Sequence, residues 1–232
     1  GRRRSVAGSS SGSVTTEGLT TMPLDDRPRR WNITPGSPQW SQQPPPVENG
    51  PALAPWLEEK LFDRRIVILQ GSVTGAAATR TVAALMTLDV QGADPVELHL
   101  RSPDGDLDAV FAVIDAVDVM HAPVHALASA EIGGAAVGLY AVAPHRKAFP
   151  HSRFRLREPR AAGVAGTAED VAHAAGQHLR ALDDLIVRIA EATGQPRSRV
   201  EDDMTRGRQL TAEEAREYGL VHEIIAPGKK GD

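Results

Sequence analysis

The usual seat for a serine nucleophile is a strand that turns sharply into a helix. The stretch Pro123–Ala143 (PVHALASAEIGGAAVGLYAVA) has that arrangement. Val124–Ala128 reads as a short buried strand, Gly133 and Gly134 as a tight turn, and Ala135–Ala143 as a small-residue apolar helix. Backbone N–H groups at such a helix start suit negative charge. The seat is present and the serine is absent. Ser129 is close in sequence but ends the strand, on the wrong side of the turn. Ser152 follows His151 in a Pro-x-Ser-Arg phrase and reads as structural. The eight histidines show no HExxH or other metal-ligand spacing; His145 and His151 read as ordinary surface or core histidines. With no cysteine, disulfides, thiolate metal sites and cysteine nucleophiles are excluded.

The elements that position this stretch are legible from hydrophobic periodicity. Trp56–Phe62 spaces its apolar residues as a helix does, and Arg65–Gln70 (RIVILQ) is a buried β-branched strand. Thr74–Val90 is an Ala-rich helix with Val82, Leu85, Met86 and Leu88 on its apolar face. Pro95–Leu100 is a second strand, Ser102–Asp106 a turn, and Leu107–Met120 a helix. The order is strand–helix three times over, with short connections, which predicts a parallel sheet covered by helices. Phe149–Pro159 alternates Phe154 and Leu156 with Arg153, Arg155 and Arg157, a strand with one wet or partner-facing side. After the small, flexible run at Ala161–Gly166, Thr167 caps a long helix running to Thr193, with Glu169 and Asp170 in its first turn. Its apolar stripe is Val171, Ala175, Leu179, Leu182, Ile186 and Ile189, and Gly194 ends it. Arg197–Met204 is a short helix, Thr211–Glu214 a capping box opening another, and Leu220–Ile225 a final strand.

The chain has 232 residues, 41% of them hydrophobic but only 4% aromatic, so its core is built from Ala, Val, Leu and Ile. Residues 1–52 differ: Ser9–Ser11, Pro44–Pro46 and scattered arginines make a locally basic, aperiodic tail expected to be disordered. A folded domain is expected over 53–226, with a polar tail at 227–232. The net charge of −4 argues against a nucleic-acid footprint over the whole chain. No apolar run approaches the roughly 20 residues of a membrane span, and Arg2–Arg4 lead into no apolar segment of a secretory signal. The protein is expected to be cytoplasmic, with neither membrane nor nucleic acid as partner.

From Trp56 to Ile225 the sequence resembles the proteolytic subunit of the Clp protease, a serine peptidase family with a crotonase-like α/β spiral of βα units. The resemblance is carried by RIVILQGSV (65–73), SPDGD (102–106), PHSRFRLREP (150–159), EATGQ (191–195) and LTAEEAREYGLVHEII (210–225). The family implies a Ser-His-Asp triad. Carried over phrase by phrase, the nucleophile position falls on Gly134, the base on Arg157 and the acid on Asp203. The oxyanion donors correspond to the backbone N–H groups of Gly105 and Ala135. Only the acid survives. Asp104 is a further departure, a carboxylate beside the oxyanion position where the family usually has glycine, and it would oppose a developing negative charge. An ion pair between Arg157 and Asp203 is expected to fill the degenerate triad, with Glu158 a second carboxylate within sequence reach of Arg157.

The resemblance further implies face-to-face heptameric rings joined by a handle, here about residues 157–193. It implies no cofactor or metal. The expected function is a catalytically silent, structural or regulatory subunit of an ATP-dependent Clp peptidase ring. Its partners would be itself or an active Clp paralogue, in a heptamer or double heptamer, and a Clp ATPase unfoldase. The alternatives are an active serine endopeptidase with displaced residues and a standalone ring-forming binding protein.

Overall fold

A computed structural model describes residues 53–160 and 166–225. The expected tails at 1–52 and 227–232, and residues 161–165 of the small-residue segment, lie outside the described residues. The elements in chain order are α1 (Pro55–Asp63), β1 (Ile66–Gln70), α2 (Gly75–Gln91), β2 (Val96–Ser102), α3 (Leu107–Val119), β3 (Val124–Gly133), α4 (Ala136–Ala141), β4 (His145–Ala148), β5 (Arg153–Arg155), α5 (Ala168–Thr193), α6 (Arg197–Arg206), β6 (Gln209–Thr211), α7 (Ala212–Glu217) and β7 (Glu223–Ile224). Strands β1-β2-β3-β4-β7 form a parallel sheet; β5 pairs with β3 in parallel and β6 with β5 antiparallel. This is the α/β architecture expected from the repeating strand–helix order.

Local chemistry sets the helix ends. Thr74 caps α2, its hydroxyl accepting the Ala77 N–H. Thr167 with Asp170, and Thr211 with Glu214, close reciprocal capping boxes at the starts of α5 and α7. Gly194 ends α5 in the left-handed region.

Several elements depart from the sequence expectation. Strand β3 runs on to Gly133 instead of ending at Ala128, and α4 spans only Ala136–Ala141. Strands β4 and β6 are too short and polar to announce themselves, and the final strand shrinks to Glu223–Ile224. Strand β1 is an edge strand, so Ile68 is 37% exposed where a fully buried strand was expected. On α2, Leu85 and Leu88 are buried and Met86 is exposed. The α5 stripe divides along its length: Ile186 and Ile189 are buried, Val171 and Leu179 exposed.

The core is aliphatic as the composition implies, but its two largest fully buried side chains are aromatic. Tyr140 and Phe154 pack with ring centroids 5.2 Å apart, and the Tyr140 hydroxyl donates to the Lys147 carbonyl at 2.8 Å. The buried Arg146 ties the C-terminal half together. Its Nε donates to Leu220 O, its Nη1 to Ala141 O and Ala143 O, and its Nη2 to Ala192 O and Gly219 O, at 2.8–3.1 Å. All five guanidinium donors are thereby used, on carbonyls that α4, α5 and α7 leave open at or beyond their C-terminal ends. Burial lowers the Arg146 pKa, yet an arginine stays charged at any working pH. Replacing it strands five carbonyls at once. Arg146→Met is expected to lower the unfolding free energy by about 3–5 kcal/mol, measured by urea denaturation, with Arg146→Lys recovering less than half because an ammonium has only three donors.

Candidate functional site

The site is built where β2, β3 and β5 converge. Leu100 pairs with Ala128 but Ser102 with Ile132, so β3 carries two more residues than β2 over this step. Ala130 takes φ 57° within that bulge. Before the bulge, His125–Ala128 pair with β4; after it, Glu131–Gly133 pair with β5. The buried Ser152 hydroxyl donates to the Ala128 carbonyl at 2.9 Å, which confirms its structural role. The bend lays Gly133 and Gly134 against the loop that leaves β2. A Cβ on Gly133 would lie 2.5 Å from the Pro103 carbonyl oxygen, so only glycine allows this approach.

The loop itself is firmly held. The Asp104 carbonyl accepts the Ser102 hydroxyl at 2.6 Å and the Val73 N–H at 3.0 Å, and the Asp106 N–H donates to the Val73 carbonyl at 3.0 Å. With the backbone fixed on both sides, the Asp104 side chain folds into the cleft. Its Oδ1 accepts the Gly105 N–H at 2.9 Å, and its Oδ2 accepts Arg157 Nη2 at 2.6 Å. Both side chains of this ion pair are 24% exposed. Arg157 reaches the cleft because it lies just past β5, where Leu156 is fully buried and its N–H donates to the Arg208 carbonyl. Gly134 faces the same carboxylate. Its φ is +56°, and a Cβ there would lie 2.5 Å from Asp104 Oδ1. The Gly134 N–H donates to the Arg155 carbonyl at 3.1 Å, so the ladder already uses this donor of the turn.

Gly105, Gly134 and Arg157 are thus brought together around Asp104, with Ala135 fully buried next along the turn. Asp203 is committed elsewhere. The expected Arg157–Asp203 ion pair does not form. Asp203 is 8% exposed and accepts Arg208 Nη1 on both oxygens at 3.1–3.2 Å and the Tyr218 hydroxyl at 3.1 Å. Arg199 and Arg208 also lie over the Tyr218 ring, 5.3 and 5.6 Å from its centroid. Burial first, and then the bond to Asp203, raise the Tyr218 pKa. Glu158 accepts the Thr205 hydroxyl at 2.9 Å and is not joined to Arg157. The physical reason is competition: the loop after β2 holds the Asp104 carboxylate against Arg157, while Asp203 is already taken by Arg208 and Tyr218. Sequence reasoning singled out both Asp104 and Arg157, but as separate departures. The missed signal was their opposite charge at two adjoining positions.

Two other features lie apart from this cluster. A cavity of about 700 Å³ sits between α1, β1 and α2 and is lined by Phe62, Ile66, Ile68 and Arg80 among others. Three histidines line one sheet face: the His145 ring centroid is 5.2 Å from that of His125 and 6.1 Å from that of His222. Burial foremost, and then neighbouring positive charge (His145 and Lys147 for His125, Arg146 and His145 for His222), lower both outer pKa values. No group of three or more His, Asp or Glu side chains among the described residues is placed to hold a metal ion.

Comparison with known proteins adds a family to this geometry. The sequence profile of the Clp protease family matches residues 55–228. The chain is 32% identical over 193 residues to ATP-dependent Clp protease proteolytic subunit 1 of Frankia casuarinae, covering 80% of this chain and 88% of that protein. It is 30% identical over 169 residues to the protein of the same name from Thermobifida fusca, covering 72% and 76%. The match to that of Chlamydia caviae is 32% over 173 residues, covering 73% and 91%.

Two outcomes follow from the geometry. Gly134→Ala is expected to cost about 2–4 kcal/mol, combining left-handed backbone strain with overpacking against Asp104. In an Asp104→Gly background only the strain of about 1–2 kcal/mol should remain, so a double-mutant cycle by urea denaturation should show strong coupling. The histidines set a pH dependence. His125 and His222 have folded pKa values below the ordinary 6.5, so the unfolded chain takes up protons first as the pH falls. Their contribution to stability is complete above pH 6.5 and is lost as the pH falls from there toward the folded values. The melting temperature should decline over that interval, and His125→Gln should flatten the decline.

Proposed function

The chain belongs to the Clp protease family and has its crotonase-like α/β fold; from this premise we propose that it is a catalytically silent subunit of a Clp peptidase ring. The observation that carries the reading is the cleft at Gly134, where a side chain would collide with Asp104 and where Arg157 is already paired. Gly134 stands at the position the family resemblance assigns to the nucleophile, and glycine has no oxygen with which to attack a carbonyl. Arg157 stands at that of the base, and a guanidinium that stays protonated accepts no proton. Loss of the serine or the histidine of a comparable triad costs on the order of 10⁶ in kcat, and oxyanion donors and binding alone leave about 10³–10⁴ over water. Asp203, at the acid position, is held by Arg208 and Tyr218 and orients no base. Ser102 and Ser152, both near the cleft, spend their hydroxyls on the Asp104 and Ala128 carbonyls.

In this reading the subunit contributes walls and contacts in place of chemistry. The exposed Val171 and Leu179 on the first half of α5 supply apolar surface for the handle contacts between rings that the family uses. The partners are further copies of this chain or an active Clp paralogue, with a Clp ATPase unfoldase feeding the chamber.

The test is hydrolysis of a fluorogenic peptide by the purified chain, alone and mixed with an active paralogue from the same cell, with a fluorophosphonate label in parallel. The expected outcome is no label and no turnover alone, and altered turnover in the mixture. Labelling and turnover by the isolated chain would identify a displaced nucleophile. An inert chain that leaves the paralogue unchanged would point to a standalone ring or binding protein.

A further inference from the structure

We propose that the Gly105 N–H and the Arg157 guanidinium form a carboxylate-binding site, and that the chain fills this site with its own Asp104. The donors come from two elements far apart in sequence, the loop after β2 and the segment just past β5. They converge on the two oxygens of one carboxylate, at 2.9 and 2.6 Å. The cradle is rigid: the loop backbone is fixed by the Ser102 hydroxyl and by Val73, and the β5 end by the ladder with β3 and by the Leu156–Arg208 bond. Room for the carboxylate exists because residue 134 has no side chain, since a Cβ there would lie 2.5 Å from Oδ1. A carboxylate with one oxygen on a backbone N–H and the other on a guanidinium has the charge-assisted bonds expected of a bound anion.

The fit of the internal occupant is incomplete, and the remainder points to the ligand class. Arg157 Nε is buried and finds no hydrogen-bond partner among the described residues. A guanidinium presents Nε and one Nη as a parallel fork that matches both oxygens of a carboxylate. Asp104 is tethered beside Gly105, gives one oxygen to that N–H, and leaves only the other for Nη2. An untethered carboxylate has no such restriction and is free to reach the unused Nε. Asp104 nevertheless wins in the intact chain because it pays no translational entropy on binding. The cleft is therefore closed by an internal anion as well as lacking a nucleophile; that bearing on peptide chemistry rests on the silent-subunit reading, whereas the site itself rests on geometry alone.

The experiment is chemical rescue of stability, using the full chain and acetate as the probe. Asp104→Ala empties the site and leaves Arg157 without its counter-charge, so its melting temperature should fall by about 3–8 °C. In about 0.1 M sodium acetate, against sodium chloride of equal ionic strength, at least half of that fall should be recovered. Acetate should give no such gain with the parent chain, whose site is full, nor with Asp104→Ala/Arg157→Gln, whose site has lost its cation. Asp104→Asn should also fail to respond, because its amide occupies the same volume. If Asp104→Ala does not fold, Asp104→Ser is put through the same comparison. The proposal is overturned if the emptied variant melts with the parent, if acetate does not raise it, or if the Arg157-deficient double variant responds equally. Peptide hydrolysis is not read in this experiment, so its failure is separate from failure of the silent-subunit reading.

Discussion

The bulge in β3 is the constraint on which the cleft depends. Between its pairings with Leu100 and Ser102 of β2, β3 uses four residues where β2 uses two. This lets one strand serve two neighbours in succession, β4 before the bulge and β5 after it. Holding Ala130 in the left-handed region costs about 1–2 kcal/mol. Tethers close by hold the bend: the Ala128 carbonyl accepts both the Phe149 N–H and the Ser152 hydroxyl, so the chain leaving β4 is pinned at the point where β3 turns. Without the extra residues, Gly133 would not meet the Pro103 carbonyl, and Arg157, two residues beyond the partner of Gly133, would not be carried to the loop at Asp104.

Three charges within this part of the molecule are held by fixed neighbours in three different ways. Arg146 is buried among carbonyls and has no acidic partner among the described residues; five hydrogen bonds replace its hydration. Asp203 is fixed by Arg208 through both oxygens and by a phenol that burial keeps protonated. Asp104 divides its oxygens between a backbone donor and Arg157. These are separate networks. The acid at the end of α6 and the arginine past β5 exchange no direct bond, so Asp203 exerts no orienting pull on the residue in the cleft. An acid positions a catalytic base only by hydrogen-bonding to it, and here that capacity is spent on Arg208 and Tyr218.

How far the sequence revealed this depended on how local each signal was. The capping boxes at Thr167–Asp170 and Thr211–Glu214 were readable because every participating residue lies within one helical turn. The strand–helix order was readable from periodicity. Strands β4 and β6 were not, because HRKA and QLT carry no apolar alternation and exist only through pairing with distant strands. The division of the α5 stripe was also hidden, since the same spacing serves residues that meet the core and residues that stay largely exposed. At the cleft, phrase matching picked out Gly134, Gly105, Arg157 and Asp203, and the structure groups the first three. The wrong partner for Arg157 came from seeking its carboxylate at Asp203 or Glu158 and reading Asp104 as a separate departure. A pairing between residues 53 positions apart depends on the bulge, which leaves no periodic trace.

Asp104, Gly134 and Arg157 form an arrangement in which each residue makes the other two tolerable. With a side chain at 134, the Asp104 carboxylate would be crowded at 2.5 Å and driven from the cleft. Without Arg157, Asp104 would keep its bond to Gly105 but hold a partly buried charge with no counter-ion. Without Asp104, Arg157 would lose the carboxylate that neutralises it while its Nε stayed buried and unpaired. Such mutual dependence makes the packing of the cleft self-consistent. Changing Gly134 to serine would place a hydroxyl in space the Asp104 carboxylate already holds, and changing Arg157 to histidine would remove the cation that keeps that carboxylate there. If the chain is the silent subunit we propose, the barrier to chemistry lies in the coupling of the three residues, and in the loop and bulge that hold them together.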